Sequence, residues 1–191
     1  MKKQNFFDST IKLFEDYRRK MIKEKTNGYN SDLSNEVHVR LRQLSYICKK
    51  LCSYEQIVLK PTSSIDEACK LSRFFDEGIV FDEGIVFAEA FYSTAWRIIC
   101  IAKHGTKPLP HLGEMKKKAK GINTVRNQLL VHPEKQKDPI LMPSFSWGND
   151  GPIFKNARPA GQTFEIMDRG FWINAQEFKN DLEELLKTAI E

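Results

Sequence analysis

From Asn5 to Lys25 the apolar residues Phe7, Ile11, Phe14 and Met21 recur at helical spacing, so one face of a helix is apolar and the other polar. Gly28 follows as a helix stop. A second amphipathic stretch, Ser31 to Cys52, places Leu33, Val37, Leu41, Leu44, Ile47 and Leu51 on its inner face, with Pro61 in the connection beyond it. Ser64 and Glu67 have capping-box spacing and open a third helix reaching Lys103, with Gly105 as its stop. The second half of that helix, Ile85 to Ala102, is almost wholly apolar and is expected to be the most buried element. Only Glu89, Ser93 and Arg97, at successive four-residue steps, draw a polar line along it. A further helical region spans His111 to His132, with Leu112, Met115, Ala119, Ile122, Val125 and Leu129 as its stripe. Gly121 interrupts it or marks the start of a separate helix near Asn123. The last helix, about Asn174 to Ile190, presents Phe178, Leu182, Leu185, Leu186 and Ile190.

Two segments depart from this regularity. Phe75-Asp76-Glu77-Gly78-Ile79-Val80 is repeated at once as Phe81 to Val86. Six residues turn a helix by about 600°, so the copies cannot share a face. Gly78 and Gly84 each cost about 1 kcal/mol inside a helix, which predicts a bend, bulge or loop. A slipped duplication without function explains the repeat. Between Pro133 and Gly170, five of the eight prolines and four of the ten glycines accumulate among aromatic residues. That composition predicts loops and one hairpin, Ile153 to Lys155 against Thr163 to Ile166. Phe145, Trp147, Phe154, Phe164, Phe171 and Trp172 read as cover for the core, with a base-stacking platform as the alternative. The pattern as a whole is all-α: one antiparallel helical bundle over residues 1–191, with a loop-rich insertion (133–173) packed on it before the C-terminal helix.

With 191 residues, 41% hydrophobic and 29% charged, the chain has the makings of one folded domain. No apolar run reaches the length of a membrane span, and Asp8, Lys12 and Glu15 break any signal-like segment, so a cytoplasmic protein without membrane contact is expected. The net charge of +5 permits a polyanionic partner without requiring one. Cys48, Cys52, Cys69 and Cys100 form no disulfide framework, and the Cys48–Cys52 spacing does not suit zinc. The four histidines (His38, His104, His111, His132) lack ligand spacing among themselves, and there is no phosphate-binding glycine loop, HExxH or serine elbow. Neither a metal nor a cofactor is expected.

One segment carries chemistry: Val125-Arg126-Asn127-Gln128-Leu129-Leu130-Val131-His132-Pro133. Arg126 can hold two phosphate oxygens with its planar fork and stabilise charge building at phosphorus. His132 can carry a proton between a ribose 2′-OH and a 5′-oxygen leaving group, and Asn127 can orient either partner. On a straight helix Arg126 and His132 stand about 9 Å apart along the axis and about 120° apart around it. Pro133 ends the helix at His132, and two such segments meeting across a twofold axis bring the groups together more easily. The bland alternative is a helix terminus where Arg126 pairs with an acid and His132 caps carbonyls. Lys116, Lys117, Lys118 and Lys120, just ahead of Arg126, are either a solvated helix face or an RNA-backbone track. Glu89 is either a buried acid paired with Arg97 or a supporting residue facing Arg126.

The string Arg-Asn, four residues, His-Pro resembles the signature of HEPN domains (higher eukaryotes and prokaryotes nucleotide-binding), with the family's arginine at Arg126, its polar residue at Asn127 and its histidine at His132. Arg97 and His104 also meet the loosest form of the motif, but Ile98 follows the arginine where the family has a polar residue. The family's toxins often carry a tyrosine shortly after the histidine; Pro133-Glu134 stands there in this chain. The resemblance, strongest over residues 89–133, implies an all-helical and commonly dimeric domain. It implies a metal-independent endoribonuclease acting on single-stranded RNA or tRNA, in a toxin or antiphage system with an antitoxin protein as a further partner. A non-catalytic module that binds RNA, a nucleotide or a protein is the alternative.

Overall fold

The computed structural model describes residues 6–26, 28–58, 79–103, 120–127, 145–148, 151–154 and 169–191. Five helices among them pack together: α1 (Asp8–Lys23), α2 (Ser31–Val58), α3 (Ile79–Lys103), α4 (Lys120–Arg126) and α5 (Arg169–Ile190). The protein is an all-α bundle, with a short antiparallel pair, β1 (Phe145–Gly148) and β2 (Gly151–Phe154), ahead of α5.

The helix boundaries have local causes. α1 stops before Gly28, because Lys25 takes the left-handed conformation at φ 48°. Thr26 N–H then donates to the Met21 carbonyl and Lys25 N–H to the Ile22 carbonyl, the paired closure of a Schellman turn. Gly28, at φ +83°, serves the turn that follows. α2 starts at Ser31, where the Asn30 Oδ1 accepts the N–H groups of Asp32 and Leu33, both at 3.0 Å. It runs on past Cys52 to Val58. The predicted bend at Gly84 does not occur: α3 passes through that buried glycine without a break, and Gly78 lies outside the described residues. The helical penalty of one glycine is small beside the burial of Ala88, Phe91, Tyr92, Ala95, Ile98 and Ile99 on the same helix. The cap at Ser64 and Glu67, the stop at Gly105 and the first part of the fourth helical region also lie outside the described residues.

α1 packs on α2 and α5, α2 packs on α3, and α4 sits between α3 and α5. α2 and α3 are antiparallel: Tyr46 meets Phe87, while Glu36, nearer the start of α2, meets Arg97, nearer the end of α3. The core is rich in aromatic residues. Phe91 and Phe171 lie 4.9 Å apart edge to face, Phe7 lies 6.3 Å from both Phe91 and Phe178, and Trp172 closes against Phe171 at 5.0 Å. α5 therefore begins five residues before the predicted start, and Phe171 and Trp172 are helical core residues. A partly buried carboxylate ties α1 to α5: the Ser9 and Thr10 hydroxyls donate to Glu183 Oε1, both at 2.7 Å, and Lys179 Nζ stands 2.9 Å from the same oxygen. Burial opposes ionisation of Glu183, but the two hydroxyls and the ammonium outweigh it and hold the carboxyl below its usual range.

α3 holds the largest share of buried residues among the described helices, as expected, although Val86 is exposed and Phe87, Ala90 and Trp96 are only partly buried. One expectation is corrected. The hairpin uses Ile153 as foreseen, but β2 pairs with the upstream strand β1, Phe145 opposite Phe154 and Gly148 opposite Gly151. The sequence between those strands is Asn149-Asp150, two residues suited to a tight hairpin. The foreseen partner, Thr163 to Ile166, lies outside the described residues.

Candidate functional site

α4 owes its place to packing. Ile122 and Val125 enter the core, and Gly121 lies where a Cβ would collide with the Asn174 carboxamide of α5. That carboxamide is fixed in turn, since Asn174 Nδ2–H donates to the hydroxyl of the buried Tyr92 at 3.0 Å. The glycine that looked like a helix interruption is a point of close approach between helices.

This packing fixes Arg126 on α4, one residue beyond the buried Val125. Its guanidinium carbon lies 5.5 Å from the centroid of the Trp96 ring on α3. Arg126 Nη1–H donates to Asn127 Oδ1 at 2.9 Å, and Asn127 Nδ2–H donates to Asn123 Oδ1 at 3.3 Å. The half-buried guanidinium is thus held by an indole and a chain of two amides. Among the described residues no carboxylate stands within ion-pair distance of it. A guanidinium held in this way is oriented before any anion arrives.

Arg126 and Asn127 are brought together. His132, Lys116, Lys117 and Lys118 lie outside the described residues; Lys120 opens α4, its side chain likewise outside them. Glu89 is half-buried, and its expected partner is taken: Arg97 reaches across to Glu36 on α2 at 2.8 Å and holds that carboxyl below its usual range. No hydrogen bond or ion pair joins Glu89 to Arg126, and Glu89 stands about 10.5 Å from Trp96 along α3. Phe171 and Trp172 are buried and offer no stacking surface.

Trp96 and Asn123 are the site residues that sequence reasoning missed. Asn123 was within reach of it, because it lies one helical turn before Asn127. Trp96 was not, because its contact with Arg126 is tertiary.

His38 is the one histidine among the described residues. Its Nε2 is 3.1 Å from Glu15 Oε1 and its Nδ1 faces Arg18 Nη1 at 3.4 Å, while Arg18 also donates to Asn35. An arginine only donates, so the ring accepts at Nδ1 and carries its proton on Nε2 toward Glu15. With both nitrogens engaged, His38 ties α1 to α2 and is no free base. Cys48 and Cys52 are buried, reduced thiols. No cluster of three or more metal-binding side chains occurs among the described residues, and no described helix is long and apolar enough to cross a membrane.

Comparison with protein-family models, with curated proteins and with solved structures returns no match to this chain.

Proposed function

We propose that the chain is a metal-independent endoribonuclease of the HEPN type. The observation that supports this reading is the Arg126 guanidinium, oriented by Trp96 and Asn127 and facing no acid among the described residues. In the reaction the ribose 2′-oxygen attacks the adjacent phosphorus and the P–O5′ bond breaks. His132 takes the 2′-OH proton and returns it to the departing 5′-oxygen, leaving a 2′,3′-cyclic phosphate and a 5′-OH. Arg126 binds the non-bridging oxygens as charge builds on them. Lys116, Lys117, Lys118 and Lys120 hold the neighbouring phosphates of a single-stranded RNA or tRNA. A homodimer supplies the second Arg126–His132 segment across the cleft, and an antitoxin protein is the partner that would silence a toxin of this kind.

The test is cleavage of single-stranded RNA and tRNA in EDTA, with the cyclic phosphate as product. Arg126→Ala is expected to lower the rate by about 100- to 1,000-fold, and His132→Ala to abolish it, with both variants still helical by circular dichroism. Trp96→Leu leaves the chemistry in place but frees the guanidinium, so a loss of several-fold is expected. Unchanged cleavage by the Arg126 and His132 variants overturns the assignment. RNA that is bound in a salt-sensitive manner but stays intact identifies the non-catalytic module instead.

A further inference from the structure

Among the described residues, the seam between α2 and α3 is open on one side. Five large apolar side chains are exposed among the described residues, and three of them, Val39, Tyr46 and Val86, border a single groove of about 590 Å³ along this seam. Ile47 and Phe87 form its base. From Val39 to Ile47 the groove runs for about 12 Å, or two helical turns. Val39, Tyr46 and Val86 are each more than half exposed, so this is a trough and not an enclosed ligand cavity.

Positive charge lies on one edge only. Between Val37 and Tyr54, α2 carries Arg40, Arg42, Lys49 and Lys50 and no acidic residue. Arg40 and Arg42 stand on the groove itself. Arg40 has Glu36 at 3.5 Å, while Arg42 is exposed and makes no ion pair among the described residues. The α3 edge, Val86 to Thr94, has no cation and carries Glu89 and Ser93. Aliphatic Val39, Ile47, Val86 and Ala90 line it beside two rings, and the Tyr46 ring is already engaged, with Lys50 Nζ 5.8 Å above it and Phe87 against it at 67°. That lining suits apolar side chains better than stacked bases.

We propose that this groove docks a short, acidic, amphipathic helix of a partner protein. Its apolar side chains enter between α2 and α3, and its carboxylates face Arg40 and Arg42. A third helix in the trough of an antiparallel pair repeats the packing already used inside the bundle, and the cationic edge fixes which way round it lies.

The probe is a fluorescent helical peptide of about 12 residues with leucine at every third or fourth position and glutamate elsewhere, set against its lysine twin. Anisotropy with the full chain is expected to show micromolar binding of the glutamate peptide, weakened by salt, and none of the lysine peptide. Arg42→Glu and Val39→Asp change exposed positions and are expected to weaken binding by about tenfold or more. Ile22→Asp, at an exposed apolar residue elsewhere, should not. Absence of binding, equal binding of both peptides, or insensitivity to the Arg42 and Val39 variants overturns the proposal. So does displacement of the peptide by single-stranded RNA. A chain dimer abolished by Val39→Asp, or intramolecular cross-linking from Val39→Cys to another part of the chain, overturns it in favour of a second copy or of the chain itself as occupant.

Discussion

Glu183 offers the sharpest test of how this bundle is held. Its carboxylate and the Lys179 ammonium are each only 14% exposed, and one oxygen, Oε1, collects the Ser9 and Thr10 hydroxyls and the ammonium. Glu183→Ala removes that acceptor and leaves Lys179 charged with little water around it. Breaking a mostly buried pair from one side costs about 3 kcal/mol. In a chain of this size that lowers the melting temperature by about 6–12 °C. Lys179→Met in the same background removes the stranded charge and should restore most of the loss. The effect also has a pH signature. Because the folded carboxyl titrates below its ordinary value, its contribution is complete above the unfolded value of about 4.3. It then fades as pH falls through the lower folded value. Urea denaturation of the wild type and of Glu183→Ala at neutral pH and near pH 3 measures both effects. A neutral-pH difference under about 0.5 kcal/mol, or a difference that persists undiminished in acid, refutes the reasoning.

Two further changes should stabilise the protein. Lys25→Gly places the residue that tolerates φ 48° at the end of α1 and is expected to add about 1 kcal/mol, read as a shift in the urea midpoint with an unchanged slope. Tyr17→Phe deletes a buried hydroxyl that has no hydrogen-bond partner among the described residues. It should be neutral or stabilising by up to about 1 kcal/mol in thermal melts, where a comparable loss would reveal a hidden partner.

The helical stripes of α1, α2 and α5 could be read directly because most of their inward positions fall on one face. Phe14, Met21, Leu41, Leu44, Leu51, Phe178 and Leu182 are all buried as expected. Errors arose where tertiary contacts overrule local preference. Lys25 takes a conformation that favours glycine because the Schellman closure holds it there, and Gly84 stays helical because its helix is anchored along α2. Phe171 and Trp172 looked like loop aromatics beside many prolines and glycines, yet their spacing fits the start of α5 once Phe91 and Phe6 are in place to receive them. At the candidate site, Arg126, Asn127 and Asn123 lie within one helical turn of each other and were open to local reasoning. Trp96 comes from a helix about 30 residues earlier, and the Arg97 partner from one earlier still, so neither pairing leaves a mark in local spacing.

The uninterrupted course of α3 through Gly84 bears on how the chain tolerates changes in its own length. Excising residues 75–80 would leave Phe-Asp-Glu-Gly-Ile-Val in front of Phe87 just as before, since the two copies are identical. The sequence from Phe81 to Lys103 would be unaltered, and with it the residues that make the meeting of Tyr46 with Phe87 and of Glu36 with Arg97. Gain or loss of one hexamer at this junction is thus a change of length that leaves those two contacts between α2 and α3 with the same residues to make them.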